Sequence, residues 1–128
     1  LPTVSADSVQ VEQVLLNLVR NGIEAMSEGG GKLRVSSRRD SEVNIEVSVV
    51  DDGAGVDAET VDEVFNPFFS TKEQGLGLGL SISRSIIESH RGRLTAFPNQ
   101  ERGMTFRFTL PIADTEDVRV DVTQAGDA

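Results

Sequence analysis

The hydrophobic period of this chain changes from helical to strand-like and then repeats that change, and the alternation limits the folds open to it. From Asp7 to Ser27, residues Val11, Val14, Leu15, Leu18, Gly22, Ala25 and Met26 recur at three- and four-residue steps, which puts them on one face of a helix. Asp7 with Gln10 resembles a capping box, and Gly29-Gly30-Gly31 stops the helix. Lys32–Ser37 and Val43–Val50 then alternate apolar and polar residues. Leu33 and Val35 in the first, with Val43, Ile45, Val47 and Val49 in the second, mark paired strands joined around Arg39-Asp40-Ser41.

Asp51–Gly55 is a glycine-broken loop, and Asp57–Phe65 has the pattern of a short capped helix. Asn66–Gly79 keeps no period and reads as a long mobile loop, of the kind that serves as a lid. Leu80–Ser89 is a second helix with Ile82, Ile86 and Ile87 directed inward. Arg93–Phe97 and Met104–Leu110 close the pattern as a hairpin around Pro98–Gly103. The expected fold is α+β: a two-layer sandwich with helices on one face of a mixed, mostly antiparallel sheet. Residues 1–112 form this domain, and residues 113–128 read as an acidic tail or linker.

With 128 residues there is room for one core and not two. No run reaches the roughly 20 apolar residues of a membrane span, no signal peptide opens the chain, and the absence of cysteine excludes disulfides and thiolate metal sites. The cytosol is the expected compartment. A net charge of −9 argues against a nucleic-acid surface. It also requires any phosphate site to be local, built from backbone N–H groups, a helix N-terminus, a metal ion and a few cations.

Four short motifs have chemistry of this kind. Asn17 and Asn21 share a face of the first helix, and amide oxygens suit a hard cation such as Mg²⁺, although an Asn pair on an amphipathic helix also simply faces solvent. Asp51 ends an apolar strand, where its carboxylate can accept from an exocyclic amine. Gly53 and Gly55 let the backbone approach a flat base, but Asp-Gly is equally an ordinary turn signal. Gly75-Leu76-Gly77-Leu78-Gly79 runs into the second helix and can offer N–H donors to an anion, or act as a hinge. It is neither a Walker loop nor a Rossmann fingerprint. Phe65, Phe68, Phe69 and Lys72 place aromatics and a cation in the lid, where they dock on a partner surface or serve as core.

Taken in order, Asn-x-x-x-Asn, Asp-x-Gly-x-Gly, Phe-x-Pro-Phe and Gly-x-Gly-x-Gly resemble the four boxes of the histidine-kinase ATP-binding domain, of the superfamily shared with gyrase, MutL and the ninety-kilodalton heat-shock chaperone. The similarity runs from about Leu1 to Ile112, and "QVLLNLVRNGIEAM", "FNPFFSTKEQGLGLGLSISRSIIESH" and "MTFRFTLPI" are especially close to FixL- and NtrB-type sensors. The resemblance implies that Asn21 is the principal Mg²⁺ ligand, with Asn17 supporting the metal or phosphates. It implies that Asp51 accepts the adenine amine, that Gly53 and Gly55 line the base, and that Gly75, Gly77 and Gly79, with Leu76 and Leu78 between them, form the phosphate-side loop. Arg20 and Lys72 are candidate phosphate contacts by charge and position.

Several positions depart from the family pattern. Glu24 stands where many kinases carry a phosphate-binding lysine, Leu76 replaces a threonine, Gly22 replaces an alanine at a cost of roughly 1 kcal/mol in helix propensity, and Arg91 replaces a second glycine. Related domains also carry one more strand ahead of Leu1-Pro2, which would leave a sheet edge open here.

In the hydrolytic members a glutamate one turn before the metal-binding asparagine activates water. Here that position is Asn17, and an amide is no general base. The expectation is therefore a kinase that holds Mg²⁺-ATP and hands its terminal phosphate to a histidine elsewhere. The partner is the dimerisation and histidine-phosphotransfer domain of the same full-length kinase, itself soluble or membrane-anchored, with a response regulator downstream. His90, the single histidine, lacks the acidic neighbour of an acceptor motif, so the chain alone should not autophosphorylate. The competing readings are an anti-sigma-type serine kinase or ATPase of the same superfamily, and a docking module that has kept the fold without nucleotide.

Overall fold

The computed structural model describes residues 4–26, 31–66 and 79–113. In chain order these form α1 (Ser8–Ala25), β1 (Arg34–Arg39), β2 (Asn44–Val50), a 3-10 turn (Val61–Phe65), α2 (Gly79–Ser89), β3 (Leu94–Pro98) and β4 (Met104–Pro111). The strands lie in the order β1-β2-β4-β3, and every pairing within this sheet is antiparallel. Both helices pack on one face of it, giving the expected two-layer α+β sandwich.

The sheet's alternation separates a dry face from a polar one. Val49, Phe106 and Phe108, with Leu94 from β3, point into the core against Val14 and Leu18 of α1 and Ile87 of α2. On the other face Glu46 is buried between Arg38 (2.9 Å) and Arg107 (3.3 Å), while Arg107 also donates to Ser48 and lies over the Phe97 ring. The hydrogen bond and charge of Glu46 raise the pKa of the Arg38 guanidinium. A groove of about 390 Å³ lies over this polar face and is lined by Arg91, Arg93 and Arg107 among others.

Two expectations are corrected, and one predicted strand proves to lie outside the core. Every residue of β1 is exposed, Val35 included, because β1 is the edge strand beyond the reach of the helices. Asp57–Phe65 is a turn followed by a 3-10 turn without a side-chain cap, not a capped α-helix. Ile82 faces outward at 48% exposure and Ser83 is the fully buried residue, because the inward face of α2 runs through Leu80, Ser83 and Ile87. The tail beyond Ala113 and the stretch ahead of Val4 lie outside the described residues. Val4 itself bridges Ile112 in antiparallel fashion.

The two helices run antiparallel, with the start of α1 tied to the residue after α2. Asp7 caps α1 by accepting from the N–H groups of Val9 (3.0 Å) and Gln10 (3.2 Å). The reciprocal half of the capping box is supplied from across the structure: the Asp7 N–H donates to Nε2 of His90 at 3.1 Å, while Nδ1 of His90 lies 2.8 Å from the Ile86 carbonyl. Both contacts hold when Nδ1 carries the proton and donates to Ile86.

Just beyond, Arg91 adopts φ 64, with its N–H on the Glu88 carbonyl and that of Gly92 on Ile87. This left-handed helix exit is where glycine is favoured. At Gly92 a side chain has no room, since a Cβ would stand 1.9 Å from the Thr109 carbonyl oxygen. Replacing Asp7 by Ala should cost about 1 kcal/mol of stability, and replacing Arg91 by Gly should add about 1 kcal/mol. Urea unfolding followed by circular dichroism measures both, as midpoint shifts of opposite sign.

Candidate functional site

The site is built around Asp51, at the end of β2 and 3% exposed. A carboxylate this deeply buried needs hydrogen bonds, and Oδ1 accepts two, from the N–H of Gly53 (2.9 Å) and of Met104 (3.2 Å). The backbone N–H of Asp51 donates to the Met104 carbonyl at 2.9 Å, so the β4 hairpin clamps both the main chain and the side chain. Oδ2 is turned toward α1, lying 3.8 Å from where a Cβ on Gly22 would stand.

Two glycines allow that approach. On Gly22 a Cβ would come within 2.6 Å of Leu33 Cδ1 and 3.4 Å of Asp51 Cβ, so this helix glycine, besides its propensity cost, opens space between α1 and the loop. On Gly53 a Cβ would collide with the Ala25 carbonyl oxygen at 2.5 Å. Gly55, with φ 71, supplies the left-handed turn that carries the loop past Gly103.

At the other end of the site, Asn17 sits beside the start of α2. Its Cγ is 4.0 Å from the Cβ position of Gly79, its Nδ2 donates to Ser83 Oγ at 3.1 Å, and its Oδ1 accepts from Gln13 at 3.2 Å. Asn17, Asn21 and Gly22 therefore span about 7.5 Å along the axis of α1, from the glycine-run end to the Asp51 end. Asn21 is half-buried between them, and Arg20 is exposed on the same helix.

The structure thus brings Asn17 to Gly79 and places Asp51, Gly53 and Gly55 in one loop against α1. Lys72, Gly75, Leu76, Gly77 and Leu78 lie outside the described residues, as do Phe68 and Phe69. Of the two alternatives left open for the phenylalanines, Phe65 takes the core one. It meets Phe106 edge-on at 6.3 Å, with the Arg84 guanidinium 4.9 Å from its ring centroid.

Sequence reasoning treated 98–103 as a plain hairpin turn and so missed residues that build the site. Asn99 donates to the carbonyl of Asp51 (2.8 Å) and that of Arg102 (2.9 Å) and accepts from Thr105. Arg102 donates to the carbonyls of Asp52 (3.1 Å) and Gly53 (3.0 Å). Gly103, at φ 89, leaves no space for a side chain, since a Cβ would stand 2.1 Å from the Asp51 carbonyl oxygen. Pro98 and Gly103 bounded the turn in the sequence, but nothing local showed that the turn grips a loop some fifty residues away.

Among the described residues there is no cluster of three or more His, Cys, Asp or Glu suited to an ion. The donors present, the amide side chains of Asn17 and Asn21, fit a hard cation that takes one or two protein ligands and draws the rest from phosphates and water.

A two-layer sandwich of two helices on an antiparallel sheet, with a buried carboxylate just past a strand end, defines an α+β domain of one architecture. The chain belongs to the family described as histidine kinase-, DNA gyrase B- and HSP90-like ATPases, whose model matches residues 6–114. It is 50% identical over 112 residues to the sensor protein FixL of Bradyrhizobium diazoefficiens, an alignment covering 87% of this chain and 22% of FixL. The chain therefore spans about a fifth of that relative's length. The catalytic domain of histidine kinase ThkA has the same fold, with a TM-score of 0.74 and 42% identity, over 85% of this chain and 71% of that one. ThkA in complex with the response regulator TrrA matches with a TM-score of 0.72 and 40% identity, over 86% of this chain and 30% of that one.

Replacing Gly103 by Ala should destabilise the domain by about 3 kcal/mol, because it combines an unfavourable φ with a collision at Asp51. Thermal melts by circular dichroism test this, and an unchanged melting point would contradict the described packing.

Proposed function

We propose that this chain holds Mg²⁺-ATP between α1, the Asp51–Gly55 loop and the Gly75–Gly79 run, and donates the terminal phosphate to a histidine on a separate domain. The observation that carries the reading is Asp51: a buried carboxylate with one oxygen occupied by two backbone N–H groups and the other turned toward a glycine on α1. Such an oxygen is placed to accept from an exocyclic amine and select adenine, against the side-chain-free surface of Gly53 and Gly55. Family membership supports the nucleotide as ATP.

Asn21 and Asn17 would hold Mg²⁺ together with the phosphates, and the metal would supply charge neutralisation of the transferring group. Gly75, Leu76, Gly77, Leu78 and Gly79 would bring N–H donors to the phosphates. Lys72 and Arg20 would add positive charge.

Transfer is favoured over hydrolysis because residue 17 is an amide, which cannot take a proton from water. The acceptor is placed outside this chain. His90, the single histidine here, offers no free lone pair when Nδ1 donates to Ile86 and Nε2 accepts from Asp7. The partner is accordingly the dimerisation and phosphoacceptor domain of the same kinase, and a response regulator follows, as the ThkA–TrrA complex supports by analogy. We place the catalytic domain at residues 1–112, with 113–128 as tail or linker, and the working compartment in the cytoplasm. No helix among the described residues is long and apolar enough to cross a membrane.

Calorimetry with Mg²⁺-ATP or ADP should give saturable binding. Asp51→Asn, which keeps the shape and one acceptor, should weaken it at least tenfold, about 1.4 kcal/mol, with its melting point nearly unchanged. Asn21→Ala should remove most of the Mg²⁺ dependence of binding. Absence of heat with the wild-type chain would favour a docking module instead. Incubation with labelled ATP and Mg²⁺ should leave the isolated chain unlabelled until the histidine-bearing fragment is added, and stoichiometric label on His90 would refute the division of labour.

A further inference from the structure

Four of the chain's twelve basic residues, Arg38, Arg91, Arg93 and Arg107, gather on or beside the open face of the sheet, where Glu46 and Asp40 are the acids they meet. This is a local excess of positive charge in a chain of net charge −9. Three of the four line the groove of about 390 Å³, together with Asn44, Thr95 and Thr109. Arg107 is held in place by its own neighbours: its Nε contacts Glu46 at 3.3 Å and Ser48 at 3.1 Å, and its guanidinium lies 4.9 Å from the Phe97 ring centroid. Its terminal nitrogens have no partner among the described residues, and neither do the side chains of Arg91 and Arg93. Arg91 moreover holds its left-handed φ of 64 at a cost of about 1 kcal/mol against glycine, with no side-chain contact to offset it. A strained cation without an internal partner, lining a groove, points to a ligand.

We propose that this groove docks a short acidic segment of a partner protein, whose carboxylates pair with Arg91, Arg93 and Arg107. The groove lies on the face of the sheet away from the helices, so the proposal stands apart from the nucleotide-binding reading above. Arginine forks take carboxylates bidentately, in charge-assisted pairs. Arg93 sits opposite Thr109 of β4, two residues from Arg107, which makes the two cations diagonal neighbours roughly 7–8 Å apart at the backbone. That step is close to the ~6.6 Å between alternate residues of an extended chain, so carboxylates on one side of such a chain meet successive arginines. Thr95, Thr109 and Asn44 supply hydrogen-bonding groups between them. A long polyanion fits less well, because its charge runs past the groove onto a chain of net charge −9. A short run of carboxylates ends with the arginines.

Fluorescence anisotropy of the intact chain with a short fluorescein-labelled peptide of alternating Glu and Thr, at low ionic strength, tests this. Binding should saturate, weaken with added salt, and vanish for the same peptide with Gln in place of Glu. Arg91→Gly and Arg93→Gln should each weaken it about threefold, and the two together about tenfold. Arg91→Gly is the deciding variant, since it relieves strain and should raise the unfolding midpoint while lowering affinity. An arginine with only a structural role would not do both. No binding by the wild type, or an affinity unchanged in both variants, would overturn the proposal. So would equal or tighter binding of inorganic phosphate, a single-stranded oligonucleotide or phosphatidylserine vesicles, each measured by competition with the peptide. Peptide binding that appears only after Asp114→Asn, Glu116→Gln, Asp117→Asn and Asp121→Asn would assign the groove to this chain's own acids and overturn it as well.

Discussion

A carboxylate taken out of water must be hydrogen-bonded, and the arrangement around Asp51 follows from that demand. The two N–H groups that satisfy Oδ1 come from Gly53, two residues on, and from Met104, at the start of β4. The first bends the chain into the glycine loop. The second couples the loop to the hairpin, where Asn99 and Arg102 secure three carbonyls of residues 51–53. Three segments distant in sequence thus share one small polar cluster, and each glycine in it stands where a Cβ would meet backbone or a packed side chain.

The same economy governs the helix pair. Apolar packing of Val14, Leu18 and Ile87 brings α1 and α2 together, but apolar contact is non-directional and would tolerate sliding. Asp7 to His90 at one end and Asn17 to Ser83 near the other are directional, and together they define the register. That register matters because α1 presents Asn17 to the start of α2 and Gly22 to Asp51, so a slide of one turn would separate the two ends of the site.

Much of the fold was legible. The helical period of α1, the alternation of β2 and the closing hairpin are local patterns, and each appears within a residue or two of its expected place. What the local pattern left open or misplaced has one cause. Val35 alternates like a core strand yet is exposed, because whether a strand is covered depends on where it sits in the sheet. Ile82 was expected to face inward because it is apolar, but the inward position is held by a serine whose partner is sixty-six residues away. Phe65 belongs to the core through Phe106, a neighbour no local window contains.

The sequence by itself determined the class of domain and the chemical inventory of the site: an amide pair at helical spacing, a carboxylate after an apolar strand, and glycines where backbone must come close. It could do so because residue type, spacing and period are properties of neighbours along the chain. Only the tertiary structure decided how those groups are held. The grip of Asn99, Arg102 and Gly103 on Asp51, the hydrogen bond from Asn17 to Ser83, and the engagement of both His90 nitrogens are contacts between distant segments. Their geometry depends on packing and on the satisfaction of buried polar atoms, which no stretch of sequence carries alone.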